Sequence, residues 1–213
     1  SVYTCIKNGK KAYNGQLITD AKSSIANNTI ETKYHPLCDK NVGIELYGRN
    51  ILQEMRGADD GIIPTADYYV ESVSIYNNRI TAAGYGINLN DAKNNKIISN
   101  TIIGDGYDNS DPQREQYNGI RISTGSTGNV INSNTISGIH QTGILLYDNA
   151  SATTVNGNTI SNCSAYGIRL NKNCSVTDSM KDNMIHGCPQ GAILTGEKSG
   201  CTVANGISQN TIQ

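Results

Sequence analysis

Phenylalanine and tryptophan are absent from this 213-residue sequence, and long apolar runs are few. That excludes an ordinary globular core, which relies on large apolar side chains for much of its buried area. No Lys/Arg cluster accompanies the net charge of -1, which argues against nucleic acid or an acidic membrane surface as partner. No stretch approaches a membrane-spanning helix and no signal peptide opens the chain, so membrane insertion is not expected. The chain reads as a mature or excised fragment. Nucleophile elbows, zinc-protease helices, Walker loops and dinucleotide fingerprints are missing as well. His35, His140 and His186 are scattered and form no evident cluster.

What is present is repetition, together with 12 tyrosines. Asn-x-Ile recurs along the chain, and seven copies that form one series begin at Asn28, Asn78, Asn100, Asn134, Asn158, Asn183 and Asn210. Between them, Gly-Ile-x-Leu or a close relative begins at Gly43, Gly86, Gly119, Gly143, Gly167 and Gly191. Self-similarity at a short fixed period marks a repeat architecture. Apolar residues alternate within each phrase, as half-buried strands require. Thus Ile144 and Leu146 should point inward while Leu145 and Tyr147 face out. A further short strand carries Val73 and Ile75, Ile97, Val130, Val155 or Val203 ahead of Asn-x-Ile. Three strands per period describe one coil of a parallel β-helix. The interval is 24 residues from Ile136 to Ile160 and 25 from Ile160 to Ile185. A bend asparagine tolerates left-handed angles and can ladder with its copies along the axis. The glycine before each Ile-x-Leu strand permits the other bend.

In these phrases the sequence resembles the right-handed parallel β-helix repeat family, the pectate-lyase-like superfamily, over about residues 25–212. The resemblance implies an all-β fold, a single-stranded right-handed parallel β-helix. The spacing adds about seven coils of 22–27 residues and an Asn ladder. Residues 1–24 fit less cleanly and are read as a degenerate N-terminal coil or cap, leaving 25–213 as the β-helix. No cap follows the last phrase, so further coils or a partner chain are expected against that end.

The six cysteines gain meaning once laid on the coils. Cys163 and Cys188 occupy equivalent bends one coil apart, and Cys174 and Cys201 both precede the strand ahead of Asn-x-Ile. Equivalent residues on adjacent coils lie about 4.8 Å apart, within the disulfide Cα range of about 4.4–6.8 Å. Cys163–Cys188 and Cys174–Cys201 are therefore expected as disulfides, with Cys5–Cys38 as a third pair. Disulfides would place the chain outside the cytoplasm, secreted or at the cell surface.

The array is interrupted three times, at 31–42, 47–70 and 103–118. All three insertions flank the Gly-Ile-x-Leu column in the first half, and the later coils look bare. Long irregular segments on a rigid scaffold are where binding and catalysis usually sit. Between these walls the outward residues should be Glu45, Tyr47, Asn88, Asn90, Arg121 and Ser123, with Tyr34 and Tyr107 on the loops. Tyrosine faces and planar amides suit sugar rings and hydroxyls. An extracellular polysaccharide is therefore the expected partner.

The resemblance also implies possible chemistries, since the superfamily includes polysaccharide lyases, glycosidases and uronate epimerases. Lyase chemistry needs a base and a cation, roles open to Glu45, Asp108, Asp111 and Arg121. Glycosidase chemistry needs two carboxylates, for which Glu45 with Asp105, Asp108 or Asp111 are the pairs to test. The mannuronan C5-epimerase signature Tyr-Gly-Phe-Asp-Pro-His-Glu is matched only in Asp111-Pro112, with Gln113 in place of its histidine. Asp105, Asp108 and Asp111 offer oxygen ligands for Ca²⁺ but do not match an EF-hand loop. The alternative from another class is a non-catalytic structural or adhesive surface module. A threonine column of the ice-binding kind, begun by Thr29, Thr101 and Thr135, is broken by Arg79 and Met184.

Overall fold

The structure is a computed structural model that describes residues 23–34, 41–48, 70–106 and 117–213. Each coil but the last, which has strands in the first two only, contributes one short strand to each of three parallel sheets, and a small fourth sheet pairs Val70–Glu71 with Ala92–Lys93. A regular coil runs Asn129–Asn132, Thr135–Ser137 and Ile144–Tyr147, and the next runs Ser151–Asn156, Thr159–Ser161 and Tyr166–Asn171. The first two sheets have seven strands and the third, built from the Gly-Ile-x-Leu phrases, has six. Every pairing joins equivalent phrases of neighbouring coils in parallel. Ile80, Ile102, Ile136, Ile160 and Ile185 are consecutive partners in the second sheet. Among the described residues the only helix is a 3-10 turn at Glu197–Ser199. None is long and apolar enough to cross a membrane.

The core is a thin column of stacked aliphatic side chains. Those five isoleucines have no exposed surface, and neither do Ile87, Ile120, Ile144 and Ile168 of the third sheet. Burying such a side chain contributes roughly 1.5–3 kcal/mol, so many small rows replace the missing aromatic bulk. Ile144 and Leu146 do point inward, as the alternation requires. The inward residue of the Asn129–Asn132 strand is Ile131, however, and Val130 is only half-buried. The reason is a second set of asparagines. Asn95-Lys96-Ile97 and Asn129-Val130-Ile131 are also Asn-x-Ile phrases, and Asn129 Oδ1 accepts from both the backbone N–H and the amide of Asn95.

The main ladder is continuous from Asn28 to Asn210. Each amide nitrogen donates to the Oδ1 of the next coil's asparagine at 2.7–3.0 Å. The same Oδ1 takes the backbone N–H of the asparagine below. The left-handed residue is not the ladder asparagine but the one before it. Asn27, Asn77, Ser99, Ser133, Gly157 and Asp182 hold φ of 54–63°. The ladder side chain must point inward to meet its copies, so the reversal falls one residue earlier.

The repeating glycines answer a different constraint from the expected one. A Cβ on Gly143 would lie 2.5 Å from Cγ2 of Ile160 and 2.7 Å from the carbonyl oxygen of Gly167. Gly43, Gly86 and Gly119 meet the matching atoms of their own next coil, whereas Gly167 meets Cγ2 of Ile185 and the carbonyl oxygen of Ala192, because Gly191 stands beside Tyr166 rather than Gly167. Close approach, not a left-handed bend, requires glycine here.

The cysteine pairs stack as expected, but no disulfide forms: Cys163, Cys174, Cys188 and Cys201 are all free thiols. Their sulfurs are spent on hydrogen bonds. Cys163 and Cys188 share one with each other, and each also points at the carbonyl two residues back, at 3.7 and 3.6 Å. Cys174 Sγ donates to Asn171 O at 2.9 Å, while Cys201 Sγ accepts the Cys174 N–H at 3.2 Å. Burial pushes the Cys174 thiol up to about 11. The hydrogen bond from Cys163 brings Cys188 down to about 7 and holds Cys163 itself protonated. Cys5 and Cys38 lie outside the described residues.

Two predictions follow from this packing. Asn158→Ala removes an amide that donates to Ile131 O and Asn183 Oδ1 and accepts two bonds from Asn134. It should cost about 3 kcal/mol or more, since each orphaned buried group costs about 1–3 kcal/mol, read as a lowered urea midpoint. Cys188 should alkylate with iodoacetamide before the other three thiols, with a pH midpoint near 7 that rises in Cys163→Ala.

Candidate binding groove

Outward residues of the third sheet fall in straight columns because the strands are in register. One column reads Glu45, Asn88, Arg121, Leu145, Arg169, Leu194, and the next reads Tyr47, Asn90, Ser123, Tyr147, Asn171. Beside them, the bends that precede the glycines contribute Tyr85, Asn118, Gln141, Ala165 and Gln190. From the columns only Arg121, Leu145, Arg169, Tyr147 and Asn171 join these bend residues in lining an open groove of about 640 Å³ that runs across successive coils.

Aromatic rings and cations interleave along it. The Arg121 guanidinium stands 5.4 Å from the Tyr85 ring centroid and 5.7 Å from that of Tyr147. Tyr147 also carries the Lys172 ammonium at 4.6 Å, and Arg169 lies 5.6 Å from the Tyr166 ring. At the other end Tyr117 packs edge-on against Tyr85, with centroids 5.3 Å apart. Such contacts orient each guanidinium plane by its face and leave its N–H fork for hydrogen bonding. Burial raises the Tyr85 pKa; the Arg121 charge opposes this, while Tyr117 and Glu45 add to it. Tyr85 is therefore a neutral hydrogen-bonding phenol at neutral pH.

The expected site residues divide into three groups. Arg121 lines the groove. Glu45, Asn88 and Ser123 are placed in the sheet as expected, but their groups are engaged locally. Asn88 is fully buried, its Nδ2 donates to Glu45 Oε1 at 2.8 Å, and its Oδ1 is buried without a hydrogen-bond partner. Ser123 is 1 % exposed and donates to the Leu89 carbonyl. Tyr47 and Asn90 pair with each other in the neighbouring column. Tyr34 is half-buried beyond the Thr29–Glu31 strand. Tyr107, Asp108 and Asp111 lie outside the described residues.

Asp105 meets a partner that the sequence reading left aside. His140 Nε2 is 2.8 Å from Asp105 Oδ1, and His140, 5 % exposed, also lines the groove. The imidazole is buried and the carboxylate stands on the solvent side, so the contact fixes the orientation of the ring at the groove wall. Of the three expected Ca²⁺ ligands only Asp105 lies among the described residues. Among the described residues no three His, Cys, Asp or Glu side chains gather to hold a metal.

The later coils are not bare, because the groove extends over them to Arg169 and Gln190. A sequence signal existed for this. Gly119-Ile-Arg and Gly167-Ile-Arg repeat an arginine in one position, and Tyr85-Gly and Tyr166-Gly repeat a tyrosine in another.

The family profile described as right handed beta helix region matches residues 4–208. The chain belongs to the right-handed β-helix family. No curated protein and no solved structure matches it. Within this β-helix the registered strands are the scaffold, and the arginines and tyrosines stand on its outer face. Arg121→Gln should raise the Tyr85 pKa further, because the guanidinium is the group that lowers it. Phenolate absorbance, with Tyr85→Phe as the subtraction, measures the change.

Proposed function

We propose that this β-helix recognises an extracellular polysaccharide in the groove on its third sheet. One observation carries the reading: tyrosine rings, guanidinium forks and amides alternate along an open channel. Sugars offer apolar ring faces for tyrosine and hydroxyls for amides and guanidinium groups, so this lining suits them. With the four described cysteines as thiols, an extracellular location follows from this ligand class alone.

A specific contact favours a catalytic version. The Asp105–His140 pair could move a proton on a sugar held beside Arg121, which is what lyase chemistry requires. Glycoside hydrolysis has less support: Glu45 is bonded to Asn88 and Asp105 to His140.

A glycan array comparing wild type with Tyr85→Ala and Tyr147→Ala tests the binding reading. Loss of about tenfold or more in affinity is expected, given about 1–3 kcal/mol for a stacking platform. An array on which no glycan binds, or on which the variants bind equally, would favour the structural or adhesive module. Release of unsaturated uronate by wild type but not His140→Ala would establish the lyase version.

A further inference from the structure

We infer that Cys163 and Cys188 are a reversible thiol–disulfide couple, in which Cys188 is the site that a small-molecule disulfide modifies and Cys163 is the thiol that resolves it. The structure holds the reduced state of the couple. The inference stands apart from what the groove binds.

Register brings the two sulfurs together. Ser161 and His186 are partners in the second sheet, and the two bends continue in step beyond them. The Asn162 N–H donates to the His186 carbonyl, and a Cβ on Gly187 would lie 2.4 Å from Asn162 Oδ1. Cys163 and Cys188 come next, about one strand spacing apart, roughly 4.8 Å. That falls within the disulfide Cα range of about 4.4–6.8 Å. The two side chains already share a hydrogen bond.

Exposure gives the two cysteines different parts. Cys163 is 1 % exposed, and its Sγ lies 3.3 Å from where a Cβ on Gly143 would stand. Cys188 is half-buried, so a disulfide arriving from solvent reaches its sulfur first. The hydrogen bond from Cys163 also favours the Cys188 thiolate, which is the attacking form. Its attack breaks the S–S bond of the small disulfide, joins one half to Cys188 and releases the other as a thiolate that takes a proton from solvent. Cys163 then gives up its proton and attacks Cys188 Sγ from the core side. The second half leaves outward and takes that proton. Two protein thiols are thereby oxidised to one disulfide, and the small disulfide is reduced to two thiols.

The other stacked pair lacks this division. Cys174 and Cys201 are both buried, and Cys174 Sγ is turned to the Asn171 carbonyl at 2.9 Å. The reactive couple also sits directly behind the groove wall, since Ser164, Ala165 and Gln190 beside it line the groove. Its disulfide would fasten two neighbouring bends of that wall.

The test starts from the full chain, reduced with dithiothreitol and desalted. It is then exposed to glutathione disulfide, quenched with N-ethylmaleimide, digested and mapped by mass spectrometry. A peptide cross-linked through Cys163 and Cys188 should form at least about tenfold faster than any Cys174–Cys201 link, and dithiothreitol should reverse it. Cys163→Ser should stop at a glutathione adduct on Cys188, and Cys188→Ser should leave Cys163 unmodified. Urea midpoints confirm that the variants fold, and the wild-type map decides even where one does not. A wild type that stops at the adduct, a Cys188 that stays unmodified, or a Cys174–Cys201 link that forms as fast would each overturn the inference.

Discussion

Stacking of one coil on the next at a single strand spacing is the constraint on which the rest of this molecule depends. Two contacts enforce it from opposite sides of the thin core. The asparagine ladder ties each bend to the next by an amide-to-amide bond and a backbone bond to the same oxygen. Gly43, Gly86, Gly119 and Gly143 meet the isoleucine methyl and the glycine carbonyl of the following coil, and Gly167 meets an isoleucine methyl and the Ala192 carbonyl, where a Cβ has no room. Asn-x-Ile and Gly-Ile-x-Leu therefore recur together because they are two halves of one contact. A coil shifted by a residue would lose the ladder and collide at the glycine.

That register creates the part of the groove that the described residues line. Because equivalent residues stand above one another, side chains at one strand position form a column, and two columns with an adjoining bend form a channel. Arg121 and Arg169 share a column although they are far apart in sequence, and the bend before each glycine supplies Tyr85 and Tyr166 alongside. The tyrosines are held outside, where a ring face can be shared between a cation and a ligand. The inside has room only for aliphatic side chains. Composition and site thus share a cause: a core too thin for aromatics leaves them for the surface.

Much of the fold was legible in sequence because a repeat states its own period. The isoleucine column, the ladder and the vertical alignment of the cysteines all follow from counting. Counting alone misplaced finer details. Val130 reads as the inward residue until Asn129 is seen to head a ladder of its own. The ladder asparagines read as left-handed until the residues before them are found at positive φ. The cysteines have the spacing for disulfides, yet sulfur direction depends on which carbonyl lies nearest, as with Cys174 and Asn171 O. The site was legible only in Arg121. Insertions drew attention to the first half, whereas Arg169, Tyr147 and His140 lie on coils with no insertion.

By itself the sequence determined the period, the parallel all-β architecture and the isoleucine column that faces the axis, since alternation and spacing are properties of the chain. Tertiary structure alone decided which outward residues meet. The Arg121–Tyr147 contact, the His140–Asp105 pair and the thiol state of the stacked cysteines all join different coils. Contacts between coils depend on rotamer and direction at a shared height, and a one-dimensional period carries height without direction.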